Sequence, residues 1–230
     1  MSSSATPDPR VIGPSARLRA WVKRSWAGNS ILPSLQPIFV QSWLYVMGVL
    51  TLCTFGLLIL SGVILAIKGA FWWHYSSLGR FMNSTHYWSV ILFFLFMSVH
   101  LFHGFWTGAW RGGQRWFTWV TGAALFMTCI VTAFFGYNLQ TNFGSQWIGT
   151  QGKDAVNSTG LGGIANILDA GQMYSMHVFL LPLLVAAIVA IHVLWVRKDG
   201  VVPPYARQAE ELREAVRNPD GASATESGRA

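Results

Sequence analysis

The stretches HYWSVILFFLFMSVH, from His86 to His100, and HVFLLPLLVAAIVAIH, from His177 to His192, are almost wholly apolar and begin and end with histidine. The two histidines are 14 residues apart in the first stretch and 15 apart in the second. Both spacings are close to four turns of an α-helix, so each pair projects from roughly one helix face. At 1.5 Å per residue the members of a pair lie about 21–22 Å apart, which is most of a hydrocarbon core about 30 Å thick. Two such helices side by side would place two histidine pairs at two depths in a membrane.

Paired histidines at two levels indicate metal centres. A single imidazole in an apolar helix is often a hydrogen-bonded core residue, but ionisable side chains are costly inside a membrane and usually face a bundle interior or a cofactor. Zinc requires three or four ligands around one point, whereas each level supplies two. Two axial imidazoles suit the iron of a haem. The sequence contains no C-x-x-C-H motif, so any haem is expected to be bound non-covalently.

The composition excludes an ordinary soluble domain. Of the 230 residues, 52% are hydrophobic and only 11% are charged. Four apolar runs are each long enough to cross a bilayer, at residues 40–67, 87–110, 117–137 and 173–196. We therefore predict an all-α membrane protein, a four-transmembrane-helix bundle that encloses two haems.

Polar segments flank the predicted bundle. The first 37 residues lack the apolar core of a cleavable signal peptide, so the first span is expected to act as the insertion signal. Residues 14–26 combine apolar and basic residues at helical spacing, which predicts an N-terminal interfacial helix, with a solvated basic arm as the alternative. We divide the chain into an arm at 1–37, a dihaem membrane domain at 38–200 and a polar cytoplasmic tail at 201–230, with a short helix at 205–217.

The distribution of lysine and arginine predicts the orientation. With four spans, both termini and the middle loop share one side, which has nine basic residues close to the spans: Arg10, Arg17, Arg19, Lys23, Arg24, Arg111, Arg115, Arg197 and Lys198. The other side has three: Lys68, Arg80 and Lys153. Because basic flanking residues stay in the cytoplasm, both termini are predicted to be cytoplasmic, in a bacterial cell (inner) membrane. This topology and anionic lipid account for the net charge of +7, and no nucleic-acid partner is expected.

Several motifs resemble the cytochrome b family of quinol-oxidising Rieske complexes, and in particular the short, split form of plastid and cyanobacterial complexes. The motifs are TWVTG at 118–122, GY-L at 136–139 and YS-H-F-LPLL at 174–184, together with the two histidine spacings. The resemblance covers about residues 30–204 and implies two non-covalent haems b. It also implies the metal ligands: His86 and His177 for the haem near the outer side, His100 and His192 for the haem near the cytoplasmic side.

Glycines repeat the same period on the other two spans. Gly48 and Gly62 on the first span are 14 residues apart, as are Gly122 and Gly136 on the third. A flat macrocycle between helices needs positions where no Cβ intrudes. These glycines fall where the family places its haem-contacting glycines, although close packing of membrane helices is an alternative explanation.

The sequence departs from the plastid form at four places. Tyr87 and His103 stand where that form has arginines, the first of which helps to neutralise haem propionates, and we include His103 among the candidate cofactor-binding residues. Val46 stands where that form has the cysteine that tethers an additional haem. Residues 138–141 read Asn-Leu-Gln-Thr, where the family usually continues through leucine and proline into an acidic loop. This last departure weakens the case for a standard outer quinol pocket.

The resemblance implies a dihaem cytochrome b subunit of a respiratory quinol-oxidising complex, which moves electrons across the membrane between quinol and quinone sites. The expected partners are a membrane subunit that completes the quinol site, a Rieske iron–sulfur protein, and a c-type cytochrome or other acceptor. We expect the complex to be a homodimer and the chain to be inactive alone. An alternative, favoured by the departures, is a dihaem subunit that links a peripheral oxidoreductase to the quinone pool without quinol bifurcation. The four histidines argue against a third possibility, a structural subunit without haem.

Overall fold

The computed structural model describes residues 42–111 and 115–202, together with Glu210, Arg213, Glu214, Val216 and Arg217. In chain order the elements are α1 (Trp43–Tyr75), α2 (Ser77–Trp106), α3 (Arg115–Asn138), α4 (Phe143–Ser158), a 3-10 turn (Leu161–Gly163), α5 (Ala170–Ser175), a π-helical turn (Met176–Leu180) and α6 (Leu181–Asp199). This part of the chain contains helices and no strand.

Four helices in the described ranges are long and apolar enough to cross a membrane. They are α1, α2, α3 and the continuous segment Ala170–Asp199, in which α5, the π turn and α6 follow one another. The predicted all-α, four-helix membrane bundle is therefore confirmed, and the chain is a multi-pass membrane protein.

Some predictions fall on other parts of the chain. The arm at 1–37, with its interfacial helix at 14–26, lies outside the described residues. Of the short helix predicted at 205–217, five residues are described, and they are helical. The division of the chain at residues 37 and 200 stays a prediction.

The first two helices extend beyond the predicted spans where they meet. α1 continues to Tyr75, with a break in its backbone at Gly69, whose φ is +78°. α2 begins at Ser77, ahead of the apolar run that starts at residue 87, and the Ser76 hydroxyl caps it by accepting from the Gly79 N–H. Hydropathy marks only the residues that suit hydrocarbon, whereas helical hydrogen bonds continue into the interface. Apolar runs therefore underestimate the length of these helices.

The spanning helices form two pairs, because α1 packs along α2 and α3 packs along α6, with sparser contact between the pairs. The middle of the space between them is filled by a buried cluster: Phe93, Met97, Leu125, Cys129 and Val185. In a bilayer such packing is stabilised by close van der Waals contact, since lipid tails are as apolar as the side chains. On α2, on α3 and on the segment Ala170–Asp199 this cluster lies between the two positions that were predicted to face a haem.

A second buried cluster packs the connection that follows α3 against the end of that helix. Ile167 and Met173 pack against Phe135 near the end of α3, and Met173 is only 1% exposed. α4 begins after Asn142, whose side chain accepts a hydrogen bond of 2.9 Å from the Ser145 N–H. The connection thus carries a capped helix and leads the chain back into the bundle at α5.

Candidate functional site

The candidate histidines come together in two levels. His86 of α2 and His177 of the π turn have ring centroids 6.2 Å apart and ring planes at 86°. His100 of α2 and His192 of α6 have centroids 6.5 Å apart and planes at 88°. These are the 86/177 level and the 100/192 level below. Because the first histidine of one helix meets the first of the other, α2 and the fourth spanning helix run in the same direction.

The ring separations fit one metal ion between each pair. A metal–imidazole bond of about 2.0 Å, with the ring centre about 1.2 Å beyond the nitrogen, lets the centroids of two imidazoles on one metal ion lie up to about 6.4 Å apart. A direct hydrogen bond of about 2.9 Å between the rings would bring the centroids to about 5.3 Å. The observed 6.2 and 6.5 Å agree with the first arrangement. Among the residues described, no three His, Cys, Asp or Glu side chains converge on a point, so the donor set suits a haem iron better than zinc.

Each candidate glycine faces one of the four imidazoles. A Cβ added to Gly48 would lie 3.0 Å from His100 Cε1, and one added to Gly122 would lie 3.2 Å from His192 Cε1. At the other level a Cβ on Gly62 would lie 3.3 Å from His86 Cε1.

The fourth glycine is the tightest. A Cβ on Gly136 would overlap the ring of His177. Each level is therefore built from one histidine or glycine of every spanning helix, and these glycines make room for the imidazoles, which is a more specific role than close packing alone.

Two hydroxyl side chains fix the tautomers of two histidines. Ser61 Oγ lies 2.8 Å from His86 Nδ1 and donates its single proton to Leu57 O at 2.6 Å. It must then accept a proton from His86, so Nδ1 is protonated and Nε2 keeps the lone pair that a metal requires. Thr121 acts in the same way, with its Oγ1 3.0 Å from His192 Nδ1 and 2.8 Å from the Thr118 O that accepts its proton.

The other two histidines differ from each other. His177 Nδ1 lies 2.8 Å from the backbone oxygen of Thr132, so this nitrogen is also protonated. His100 Nδ1 is buried and has no hydrogen-bond partner within the described ranges. Sequence reasoning missed Ser61, Thr121 and Thr132. Ser61 and Thr121 could have been found in the sequence, because each directly precedes one of the glycines that repeat the histidine spacing. The Thr132 acceptor could not, because every residue has a backbone oxygen.

The π turn positions His177. Pro182 has no N–H to donate and its ring clashes with the carbonyl four residues earlier, so an undisturbed α-helix cannot pass through it. The chain responds with a single wide turn, in which the Leu181 N–H bonds to Met176 O. The extra residue of that turn sets the direction in which His177 projects.

An apolar cavity of about 350 Å³ lies at the 86/177 level. Its walls include both histidines and both glycines of that level, Gly62 and Gly136. The volume falls in the range of small-molecule and cofactor sites, which is about 300–1,000 Å³. The cavity, the donor set and the glycine positions together fit a haem.

Three of the four departures from the plastid form lie on α1 and α2. His103 packs edge-on against Tyr45 of α1, with centroids 4.7 Å apart, and the Tyr45 hydroxyl donates to Val202 O at 2.8 Å. Tyr87 is half-exposed and contacts Trp88, while Val46 is partly exposed on α1. The role of His103 in cofactor binding stays a prediction.

The 138–141 segment is tied to the first two helices by side chains. Asn83 and Gln140 exchange two amide hydrogen bonds of 3.0 Å. Thr141 Oγ1 lies 3.1 Å from His74 Nε2, and Thr141 has a φ of +52°. These contacts join the segment after α3 to α1 and α2 beside the 86/177 cavity.

Comparisons with known proteins agree with this geometry. The chain is 32% identical over 138 residues to cytochrome b6 of Chlamydomonas reinhardtii and 34% identical over the same length to cytochrome b6 of Pyropia yezoensis. Each match covers 55% of this chain and 63% of the relative, so the chain spans less than two thirds of the curated relatives it matches. A solved structure described as a hyperthermophilic respiratory complex III has the same fold, with a TM-score of 0.64 and 21% identity, over 81% of this chain and 54% of that one.

A family model matches more than half of the chain. It is described as cytochrome b(N-terminal)/b6/petB and matches residues 91–223, which include His100, His177 and His192. The match also contains Gly122 and Gly136, which face two of those histidines. The chain therefore belongs to the cytochrome b(N-terminal)/b6/petB family.

Proposed function

We propose that the chain is a dihaem cytochrome b subunit of a respiratory quinol-oxidising complex. The observation that carries this proposal is the pairing of four histidines at two levels, each imidazole opposite a glycine. His86 and His177 would hold one haem b, and His100 and His192 the other. A haem bound at each level supplies one-electron transfer.

The residues around the histidines hold them in place. Ser61, Thr121 and the Thr132 carbonyl keep three imidazoles in one tautomer and orientation. Such partners increase the basicity of a ligand and reduce its freedom to rotate. The buried cluster around Phe93 and Leu125 keeps water out of the space between the levels. A dry, rigid interior of this kind favours electron transfer through the bilayer over side reactions.

The sides of the membrane follow from charge. The bias of nine flanking basic residues against three favours a cytoplasmic position for both termini. The 86/177 level then lies near the outer side and the 100/192 level near the cytoplasmic side. The proposed location is a bacterial cell membrane.

The proposed partners follow from the relatives. The relatives are cytochromes b6 and a chain of a respiratory complex III, and from this likeness we propose that another membrane subunit completes the quinol site. A Rieske iron–sulfur protein and a c-type cytochrome or other acceptor would take electrons from quinol, in a homodimeric complex.

The second candidate function is a dihaem subunit that links a peripheral oxidoreductase to the quinone pool without bifurcation. The observation that favours it is the attachment of the 138–141 segment to the first two helices, through the bonds of Gln140 to Asn83 and of Thr141 to His74. In the family this part of the chain lies beside the quinol site.

The composition of the native complex tests the proposal. We expect the complex, purified in mild detergent through a tag on this chain, to contain two extractable haems b per chain, a further membrane subunit and the electron paramagnetic resonance signal of a Rieske centre. A molybdenum or iron–sulfur oxidoreductase in place of the Rieske protein would support the second candidate. Absence of haem from the complex would contradict both.

A further inference from the structure

Three of the polar side chains that line the 86/177 cavity lie near the end of the bundle at which α1 ends and α2 begins. The lining includes Trp73, Asn83 and Gln140. Asn83 lies one helical turn before His86, Gln140 lies one turn after Gly136, and Trp73 lies in the last turns of α1. The remaining walls are mostly aliphatic and aromatic.

Trp73 presents a hydrogen-bond donor that is not used. The side chain is 8% exposed, and the indole Nε1 is buried with no partner among the described residues. Buried polar groups are paired in the great majority of cases, and each exception requires an explanation. Trp73 lines the cavity, and an acceptor on a group bound there would pair this N–H.

Asn83 and Gln140 supply two more donors at the same end. Asn83 Nδ2 donates to Gln140 Oε1, and Gln140 Nε2 donates to Asn83 Oδ1, each at 3.0 Å. Each amide has two N–H groups, and this exchange uses one of them. The exchange also fixes both side chains, since it joins α2 to the segment after α3.

These donors are uncharged. Among the described residues, no lysine or arginine lines the cavity. The basic side chains nearest to Trp73 in sequence are engaged elsewhere, since Lys68 Nζ lies 6.0 Å from the ring centre of Trp72 and His74 is bonded to Thr141.

We propose that Trp73, Asn83 and Gln140 bind the propionate carboxylates of the haem at the 86/177 level through neutral hydrogen-bond donors; this rests on the haem binding proposed above. The macrocycle suits the apolar walls, but a carboxylate is costly to bury unless it is hydrogen-bonded. Hydrogen bonds to an ionised acceptor are shorter and stronger than those between neutral groups. These three donors provide the binding without a cation.

The test compares Trp73→Phe with Trp72→Phe in the purified, haem-loaded complex. Both changes remove an indole N–H and retain an aromatic ring, but Trp72 is not part of the cavity lining. We expect Trp73→Phe to release the haem of the 86/177 level to an acceptor protein about tenfold faster, because one charge-assisted hydrogen bond is lost. The propionate bands in redox difference infrared spectra should shift as well. The haem of the 100/192 level and the Trp72→Phe variant should keep wild-type values.

A second variant, Asn83→Leu, removes one amide from the partly buried rim and should change the release rate and the infrared bands in the same direction. Wild-type values in Trp73→Phe or in Asn83→Leu, with two haems bound, would overturn the carboxylate site and leave the proposed function intact. A wild-type complex without haem would refute the proposed function itself. If the Trp73→Phe complex does not assemble, the release rate and infrared bands of Asn83→Leu alone test the carboxylate site.

Discussion

Hydroxyl side chains next to glycines set the protonation of the histidines they face. Ser61 precedes Gly62, and Thr121 precedes Gly122, so one short stretch of helix supplies both the space for a ring and the acceptor for its Nδ1–H. Each hydroxyl donates its own proton to a backbone carbonyl of the preceding helical turn. This arrangement leaves Nε2 as the ligating nitrogen.

Thr121→Val should weaken haem binding at the 100/192 level. The change removes the acceptor for His192 Nδ1 and nearly keeps the side-chain volume, and loss of such a partner typically costs about 10–100-fold in metal affinity. Thr128→Val is the matched control, since the side chain of Thr128 on the same helix bonds only to Ala124 O among the contacts described. Haem content per chain after detergent dilution measures the effect. Equal haem retention in the two variants would contradict this role of Thr121.

Gly136→Ala should abolish haem binding at the 86/177 level, because the new Cβ would overlap the His177 ring. Gly56→Ala is the control on another spanning helix, where a Cβ meets nothing within 4 Å. Reduced-minus-oxidised spectra should show one haem component in the first variant and two in the second. Two unchanged components in Gly136→Ala would mean that the close approach of glycine and imidazole has no role in binding.

The histidines and glycines could be predicted because their function imposes a helical period on the sequence. Ser61 and Thr121 left a weaker signal, a hydroxyl before each glycine. The Asn83–Gln140 pair could not be predicted, since its members are 57 positions apart and only the folded chain brings the two amides together. The acceptor for His177 is a backbone oxygen, which every residue has.

At the scale of helices, the π turn Met176–Leu180 is an irregular element that carries a candidate ligand. Pro182 lies directly after it, within the first turn of α6. A π turn adds one residue to a helical turn, so every side chain before it is rotated relative to an uninterrupted helix by about 100°.

Pro182→Ala should therefore disturb the 86/177 level alone. Without the proline the segment can form regular α-helix, and His177 would then turn away from His86. His192 follows the turn and should still meet His100. We expect loss of one haem component, with the overall helix content by circular dichroism unchanged. Retention of both components would show that the π turn does not depend on Pro182.

Apolar runs predicted the four spans because residues inside the hydrocarbon core of a bilayer must be mostly apolar. They did not predict that α2 begins at Ser77, because the cap of Ser76 and the break at Gly69 are local hydrogen-bonding and conformational features. The π turn was also missed, although a proline five residues after a histidine in a span was visible in the sequence.

For the whole molecule, the main feature is the space between the pair α1–α2 and the pair α3–α6. Each pair contributes one histidine and one glycine to each level, so neither level is complete without both pairs. The buried cluster between the levels joins α2, α3 and α6.

The charge bias predicts the orientation of this assembly. Green fluorescent protein fused after residue 205 should fluoresce, and alkaline phosphatase fused there should be inactive, because this point is predicted to be cytoplasmic. Alkaline phosphatase inserted at the end of α4, after Ser158, should be active, because this point is predicted to lie outside. Alkaline phosphatase and green fluorescent protein fusions at both points provide the measurement. The reverse pattern would exchange the sides assigned to the two levels but not their ligands.

The central claim is that two haems are held at separate levels by the pairs His86–His177 and His100–His192. It is tested most directly by redox-resolved optical spectra of the four single His→Ala variants in assembled complexes. We predict that His86→Ala and His177→Ala lose the same haem component, and that His100→Ala and His192→Ala both lose the other. If His86→Ala instead matches His192→Ala, or if wild type binds a single haem, the account is contradicted.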